Sequence, residues 1–172
     1  MMAAMTPPAN ERPPHERRFD SLEQEAFLNL WRTYDRLHLA EEELFNRYDL
    51  TPQQYNALRL LRSQHPDKLA TLALAERLVS RAPDITRLVD KLAARNLVQR
   101  QRPLDNRRMV LVGITGEGIK LLGDLGQEVR ACHQRQLGHL SATQLHQLIE
   151  LLYAAFDAMQ FDRIVKAGDA PT

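Results

Sequence analysis

Apolar side chains recur along this chain at two spacings, and the change from one to the other marks its organisation. Phe27, Leu30, Trp31, Tyr34, Leu37, Leu44, Phe45 and Tyr48 fall at helical intervals, predicting a long first helix. Asp20 or Ser21 can cap it, with Gln24 at capping-box spacing from Ser21. Thr51, Pro52 and Gln54 form a second helix start as cap, first helical residue and third, ahead of Tyr55, Leu58 and Leu61 as buried positions. The polar run at 64–67 ends that helix, and Thr71 is expected to cap a short third one carrying Leu72, Leu74, Ala75 and Leu78. Residues 83–95 then place Ile85, Leu88, Val89 and Leu92 on one face and Asp84, Arg87, Lys91 and Arg95 on the other. Asn96 follows where a left-handed residue would end the helix, a conformation Asn tolerates better than most.

Beyond Asn96 the period becomes two. Residues 97–102 and 109–114 read as short strands joined by a turn-rich connector at 103–108, a hairpin with a charged tip. Thr115 is expected to cap a fifth helix, with Ile119, Leu122, Leu125 and Val129 on its stripe. Its glycines at 116, 118, 123 and 126 predict a start that frays without packing. Ser141 and Gln144 form a further capping box before Leu145, Leu148, Ile149, Leu152, Phe156 and Met159, a last helix expected to be as strongly amphipathic as the first.

Composition narrows the class. With 44% hydrophobic and 26% charged residues among 172, the chain is that of an ordinary globular protein rather than a collagen-like or disordered one. Residues 1–18, with Pro7, Pro8, Pro13 and Pro14, read as a flexible arm. No apolar run is long enough for a bilayer or a secretory signal, so the cytoplasm is the expected location and no membrane partner is expected. One cysteine, Cys132, excludes an intrachain disulfide and any multi-cysteine metal site. His133, His139 and His146 lack the spacing of a helical metal pair, and no cofactor is expected. Phosphate-loop, nucleophile-elbow and metalloprotease motifs are absent from the sequence, so an enzyme is not the expected class.

The net charge of +1 conceals an asymmetry. Residues 80–108 carry eight bases against three acids, a local +5, leaving −4 for the rest. Helix, tight turn, basic amphipathic helix and basic-tipped hairpin follow the order of a winged helix–turn–helix, in which the second helix enters the major groove. The expected fold is therefore mainly α with a small β-hairpin wing, flanked by long terminal helices. The leading residues of the recognition helix would be Ser80, Arg81, Ala82, Pro83, Asp84, Thr86 and Arg87, with Lys91 one turn deeper and nearer phosphate. Arg81 and Arg87 suit either guanine or phosphate. Asp84 repels phosphate but suits the first turn of a helix, where the dipole favours an acid. Arg107 and Arg108 match a wing arginine entering a narrow minor groove. The partner would be double-stranded DNA; a winged domain reserved for protein partners is the alternative. The apolar stripes at both ends exceed what such a domain can cover, so part of that surface is expected to meet a second copy.

The stretches Leu74-Ala75-Glu76-Arg77-Leu78, Asp84-Ile85-Thr86-Arg87-Leu88-Val89-Asp90-Lys91-Leu92, Leu97-Val98 and Arg107-Arg108-Met109-Val110-Leu111-Val112-Gly113-Ile114-Thr115-Gly116-Glu117-Gly118 together resemble the MarR family of bacterial transcriptional regulators. The similarity extends over about residues 20–165. It implies a homodimer on a palindromic operator, usually a repressor released by a small molecule. It also divides the chain into an arm at 1–18, an N-terminal dimerisation helix at 19–48, a winged helix–turn–helix at 49–115, C-terminal dimerisation helices at 116–165 and a tail at 166–172. The family's wing commonly reads Asp-x-Arg. Here Asn106 holds the acid's place relative to Arg108, while Asp105 and Arg107 fit one residue earlier, so either arginine suits the groove. Asn96 stands where the family has glycine after the recognition helix. By analogy with relatives that bind lipophilic or phenolic effectors, Trp31, Tyr34, His38 and Tyr55 are candidate effector-lining residues, although a helical aromatic stripe is more often core. The family's peroxide sensors carry a cysteine near the start of the first helix, and this chain has none there.

Overall fold

The computed structural model describes residues 19–79, 84–104 and 106–168. The elements run α1 (Leu22–Asn46), α2 (Pro52–Gln64), β1 (Leu69–Ala70), α3 (Thr71–Arg77), α4 (Ile85–Ala94), β2 (Val98–Gln101), β3 (Leu111–Ile114), α5 (Gly116–Leu137) and α6 (Ala142–Gly168). The fold is mainly helical with a small antiparallel sheet. Two compact units divide at Ala40 and Glu41.

The first unit holds most of α1. At its start the Ser21 hydroxyl accepts the Gln24 N–H at 3.1 Å, while the Gln24 side chain accepts the N–H of Asp20, not of Ser21, at 2.7 Å. Asp20 and Ser21 therefore share the capping. Phe27, Leu30, Trp31 and Tyr34 of the apolar stripe are exposed.

In the second unit the core is built around α2. Ala57, Leu58 and Leu61 are wholly buried, and α2 packs on α3, α5 and β3. Thr51 makes the full capping box with Gln54, and Pro52 opens the helix. Tyr55, expected in the core, is half-buried and stacks on Phe45 instead, with ring centroids 4.4 Å apart. Leu74, Leu88, Val89, Leu92, Val112, Ile114, Leu122 and Leu125 complete the same core.

The sheet has three strands in the order β1-β3-β2, both pairs antiparallel. The hairpin β2–β3 follows the sequence expectation, with Val98 opposite Ile114 and Arg100 opposite Val112. Strand β1 was not expected from the sequence, because two residues are too few to display a period. It also changes the role of Thr71, which is not a cap. Its N–H and hydroxyl both donate to the Val110 carbonyl at 3.0 Å, and α3 starts without a side-chain cap. With α3 oriented this way, Leu72 points to solvent rather than into the core.

Thr115 caps α5 as anticipated, and the start of that helix has the packing that its glycines call for: a Cβ on Gly118 would lie 2.3 Å from the Leu97 carbonyl oxygen and 2.7 Å from the Ile114 side chain. Glycine there permits close backbone approach. Ser141 and Gln144 form the expected capping box, but α6 as a whole is far less amphipathic than α1. Ile149, Leu152, Tyr153 and Phe156 share one face, with Leu151 on the opposite one, and all five are exposed. No helix among the described residues is long and apolar enough to cross a membrane.

Candidate nucleic-acid interface

Helix α4 begins at Ile85, later than the expected start at Pro83. Asp84 is its N-cap, and its carboxylate accepts the Arg87 N–H at 2.9 Å. One of the four unpaired donors at the helix start is thereby satisfied, and the charge lies at the positive end of the dipole. Leu88, Val89 and Leu92 anchor the inner face, which leaves Thr86, Arg87 and Lys91 exposed on the outer one. Ser80, Arg81, Ala82 and Pro83 lie outside the described residues.

The far end of α4 closes as a Schellman motif. Asn96 adopts φ 55°, the Leu97 N–H reaches the Leu92 carbonyl at 3.0 Å, and the Asn96 N–H reaches that of Ala93 at 2.9 Å. The left-handed Asn96 does the work of the glycine usual at this place.

At the wing tip the Asn106 side-chain oxygen accepts the Arg108 N–H at 3.2 Å, and the Met109 N–H donates to the Asn106 carbonyl at 3.1 Å. This is an Asx-type turn, which a short side-chain acceptor can hold whether acid or amide. Arg107 and Arg108 project from it, both exposed.

The basic residues divide into two groups. Arg100 pairs with Asp90 of α4, and Arg95 donates to two backbone carbonyls of the α1–α2 junction. Among the described residues, no acid pairs with Arg87, Lys91, Arg102, Arg107 or Arg108. A groove of about 350 Å³ is lined by Arg100, Arg102 and Val110. In the sequence Arg100 and Arg102 stand only as charge. Period two in β2 is the signal for Arg100, since it places residues 98 and 100 on one face, the face from which Arg100 meets α4.

The candidate effector residues fall into separate pairs. Tyr34 stacks on His38 with centroids 5.3 Å apart, and Trp31 lies 5.9 Å from Phe27. Tyr55 is in the other unit, against Phe45. Cys132 is buried, and His133 contacts Glu41 at 3.1 Å. Among the described residues, no group of three His, Cys, Asp or Glu is placed to hold a metal.

Comparison with known proteins agrees with this geometry. A model of the MarR family matches residues 50–110, from just before α2 to just before β3. The transcriptional regulator FarR of Neisseria gonorrhoeae is 31% identical over 86 residues, covering 50% of this chain and 58% of that protein's length. A crystal structure of a mutant MarR from E. coli with operator DNA superposes with a TM-score of 0.68, covering 79% of this chain and 99% of that one; at 22% identity it shows a common fold. A MarR transcription factor from Planctomyces limnophilus is 59% identical, with a TM-score of 0.64 over 80% of this chain and 99% of that one. At that identity and coverage, with the helix–turn–helix and basic-tipped wing in place, this chain belongs to the MarR family of transcriptional regulators.

Proposed function

We propose that the protein is a homodimeric repressor that reads a palindromic operator and releases it on binding a small lipophilic or phenolic effector. The observation that carries DNA reading is the placement, on both α4 and the wing of one winged unit, of exposed cations that no acid pairs among the described residues. Helix α4 would enter the major groove by its N-terminal turn. Ser80, Arg81, Ala82, Pro83, Asp84, Thr86 and Arg87 would lie nearest the base edges and Lys91 against phosphate. The Asx turn of Asn106 supports Arg108 as the arginine that enters the minor groove, with Arg107 beside the backbone. Arg102 would add a phosphate contact from the groove that it lines with Arg100 and Val110.

Dimerisation is supported by the apolar surface left uncovered on one chain. Leu22, Phe27, Leu30 and Trp31 of α1 and Leu151, Tyr153 and Phe156 of α6 are all more than half exposed. The face of α6 that carries Ile149, Leu152, Tyr153 and Phe156, all exposed, suits contact with a partner subunit. A two-fold axis would set two recognition helices about 34 Å apart, one turn of DNA. Effector release rests on the family resemblance, with Trp31, Tyr34, His38 and Tyr55 as candidate contacts. The cytoplasm is the expected location, and no catalytic role is assigned.

Fluorescence anisotropy with the intergenic DNA upstream of its own gene, against a scrambled duplex across a salt series, tests the reading. Specific binding in the nanomolar range with a steep salt slope is expected. Charge reversal at Arg87 and Arg108 should abolish it with the dimer intact. Unchanged DNA behaviour in that variant would favour a protein-interaction module.

A further inference from the structure

Helices α1 and α4 end alike, and their ends meet. In α1 the Leu50 N–H bonds the Phe45 carbonyl at 3.0 Å and the Asp49 N–H bonds that of Asn46 at 3.1 Å, with Asp49 at φ 51°. This is the arrangement that Asn96 makes at the end of α4. Each closure leaves carbonyls directed outward at the negative end of a helix dipole. Arg95, the C-cap residue of α4, lies between the two. Its guanidinium donates to the Asp49 carbonyl at 2.5 Å and to the Tyr48 carbonyl at 3.0 Å. One cation thus reaches from the end of α4 to the end of α1, and its planar fork meets two adjacent carbonyls as a single ammonium would not. Beyond the junction, the Tyr48 hydroxyl donates to Glu128 of α5, and Arg47 meets the same carboxylate at 2.7 Å.

We propose that Arg95 is a positioning residue for DNA recognition, fixing the angle of α4 by clasping the α1–α2 junction, which Glu128 in turn holds to α5. The inference rests on the reading of α4 as the recognition helix. The ten residues of α4 place its reading end about 15 Å from the clasp, so a small tilt at Arg95 displaces the residues that meet base edges. Leu88, Val89 and Leu92 stay buried without Arg95, so its loss leaves α4 in place with a wider range of angles. Only the fraction in the productive pose binds, and apparent affinity falls by that fraction. Although exposed, Arg95 is committed to the protein backbone and is not one of the phosphate contacts.

The test is anisotropy with Arg95→Met and Arg95→Lys, on a duplex that the wild-type protein selects from a random-sequence pool, with folding checked by circular dichroism. The expected result for folded Arg95→Met is affinity lower by about tenfold, at an unchanged slope of log affinity against log salt. Arg95→Lys should lose about threefold at the same slope; should Arg95→Met not fold, that variant carries the test. Wild-type affinity in folded variants would overturn the proposal. So would a loss accompanied by a slope shallower by about 0.9, the mark of a missing phosphate contact. Wild-type protein that selects no duplex would remove the DNA-binding reading itself, and the role of Arg95 with it.

Discussion

The hydroxyl of Tyr48 donates to the carboxylate of Glu128, joining the turn after α1 to α5. This bond holds the Tyr48 phenol above its ordinary value, with partial burial and the carboxylate charge acting in the same direction and Arg47 opposing them. The folded state favours the neutral phenol. Its contribution to stability is therefore whole below pH about 10 and is lost as pH rises through the raised value. Urea midpoints of wild type and Tyr48→Phe should differ near neutrality and converge in alkali; a gap independent of pH would show that the bond does not carry the difference.

Asp84 combines two effects that substitution can separate. Asp84→Ala removes the acceptor for the Arg87 N–H and should destabilise by about 1 kcal/mol. Asp84→Asn keeps an acceptor and should stay within about 0.5 kcal/mol of wild type. On the proposed placement of α4 in the major groove, removing this negative charge should also tighten DNA binding. Equal thermal destabilisation by the two substitutions would contradict the capping role.

Two glycines of α5 should respond in opposite directions. A Cβ on Gly118 meets a backbone oxygen and a buried side chain, so Gly118→Ala should cost about 1–3 kcal/mol. Gly123 has open space around it, and Gly123→Ala should stabilise by about 0.5–1 kcal/mol through the helix backbone alone. Denaturant titration of the pair checks the sign of each.

Asn96 is held at φ 55°. Asn96→Gly should stabilise by about 0.5 kcal/mol, while Asn96→Ala should destabilise by about 1 kcal/mol. The Asn96 carbonyl still accepts from the Thr115 hydroxyl in either variant, so the comparison isolates backbone conformation. Ala equal to Gly in melting temperature would refute it.

Local chemistry was readable in the sequence, and contacts between distant segments were not. Thr51, Thr115, Ser141 and Asn96 each declare a helix boundary through neighbours three or four residues away, and all four behave as that spacing requires. The basic outer face of α4 and the hairpin after it were legible for the same reason. Thr71 looked like a cap because its competitor, the Val110 carbonyl, lies across the whole helix–turn–helix. Leu72 fitted a helical stripe in a helix of seven residues, too short for periodicity to choose the face. Arg95 and Arg100 read as surface charge, yet one is bound by carbonyls at residues 48 and 49 and the other by Asp90. Within the candidate site, sequence marked the cations; only the fold separated those that brace the recognition helix from those directed outward.

Strand β3 is hydrogen-bonded along both edges, to β1 on one side and β2 on the other, while Thr71 holds Val110 at the end nearer the hairpin tip. The strand leading from the tip is thus held on both sides up to the point where it enters the sheet. Arg107 and Arg108 lie just beyond that clamp, both exposed. On the proposed reading, such a clamp would fix where the wing leaves the sheet, so that only its tip would adjust to the width of a groove.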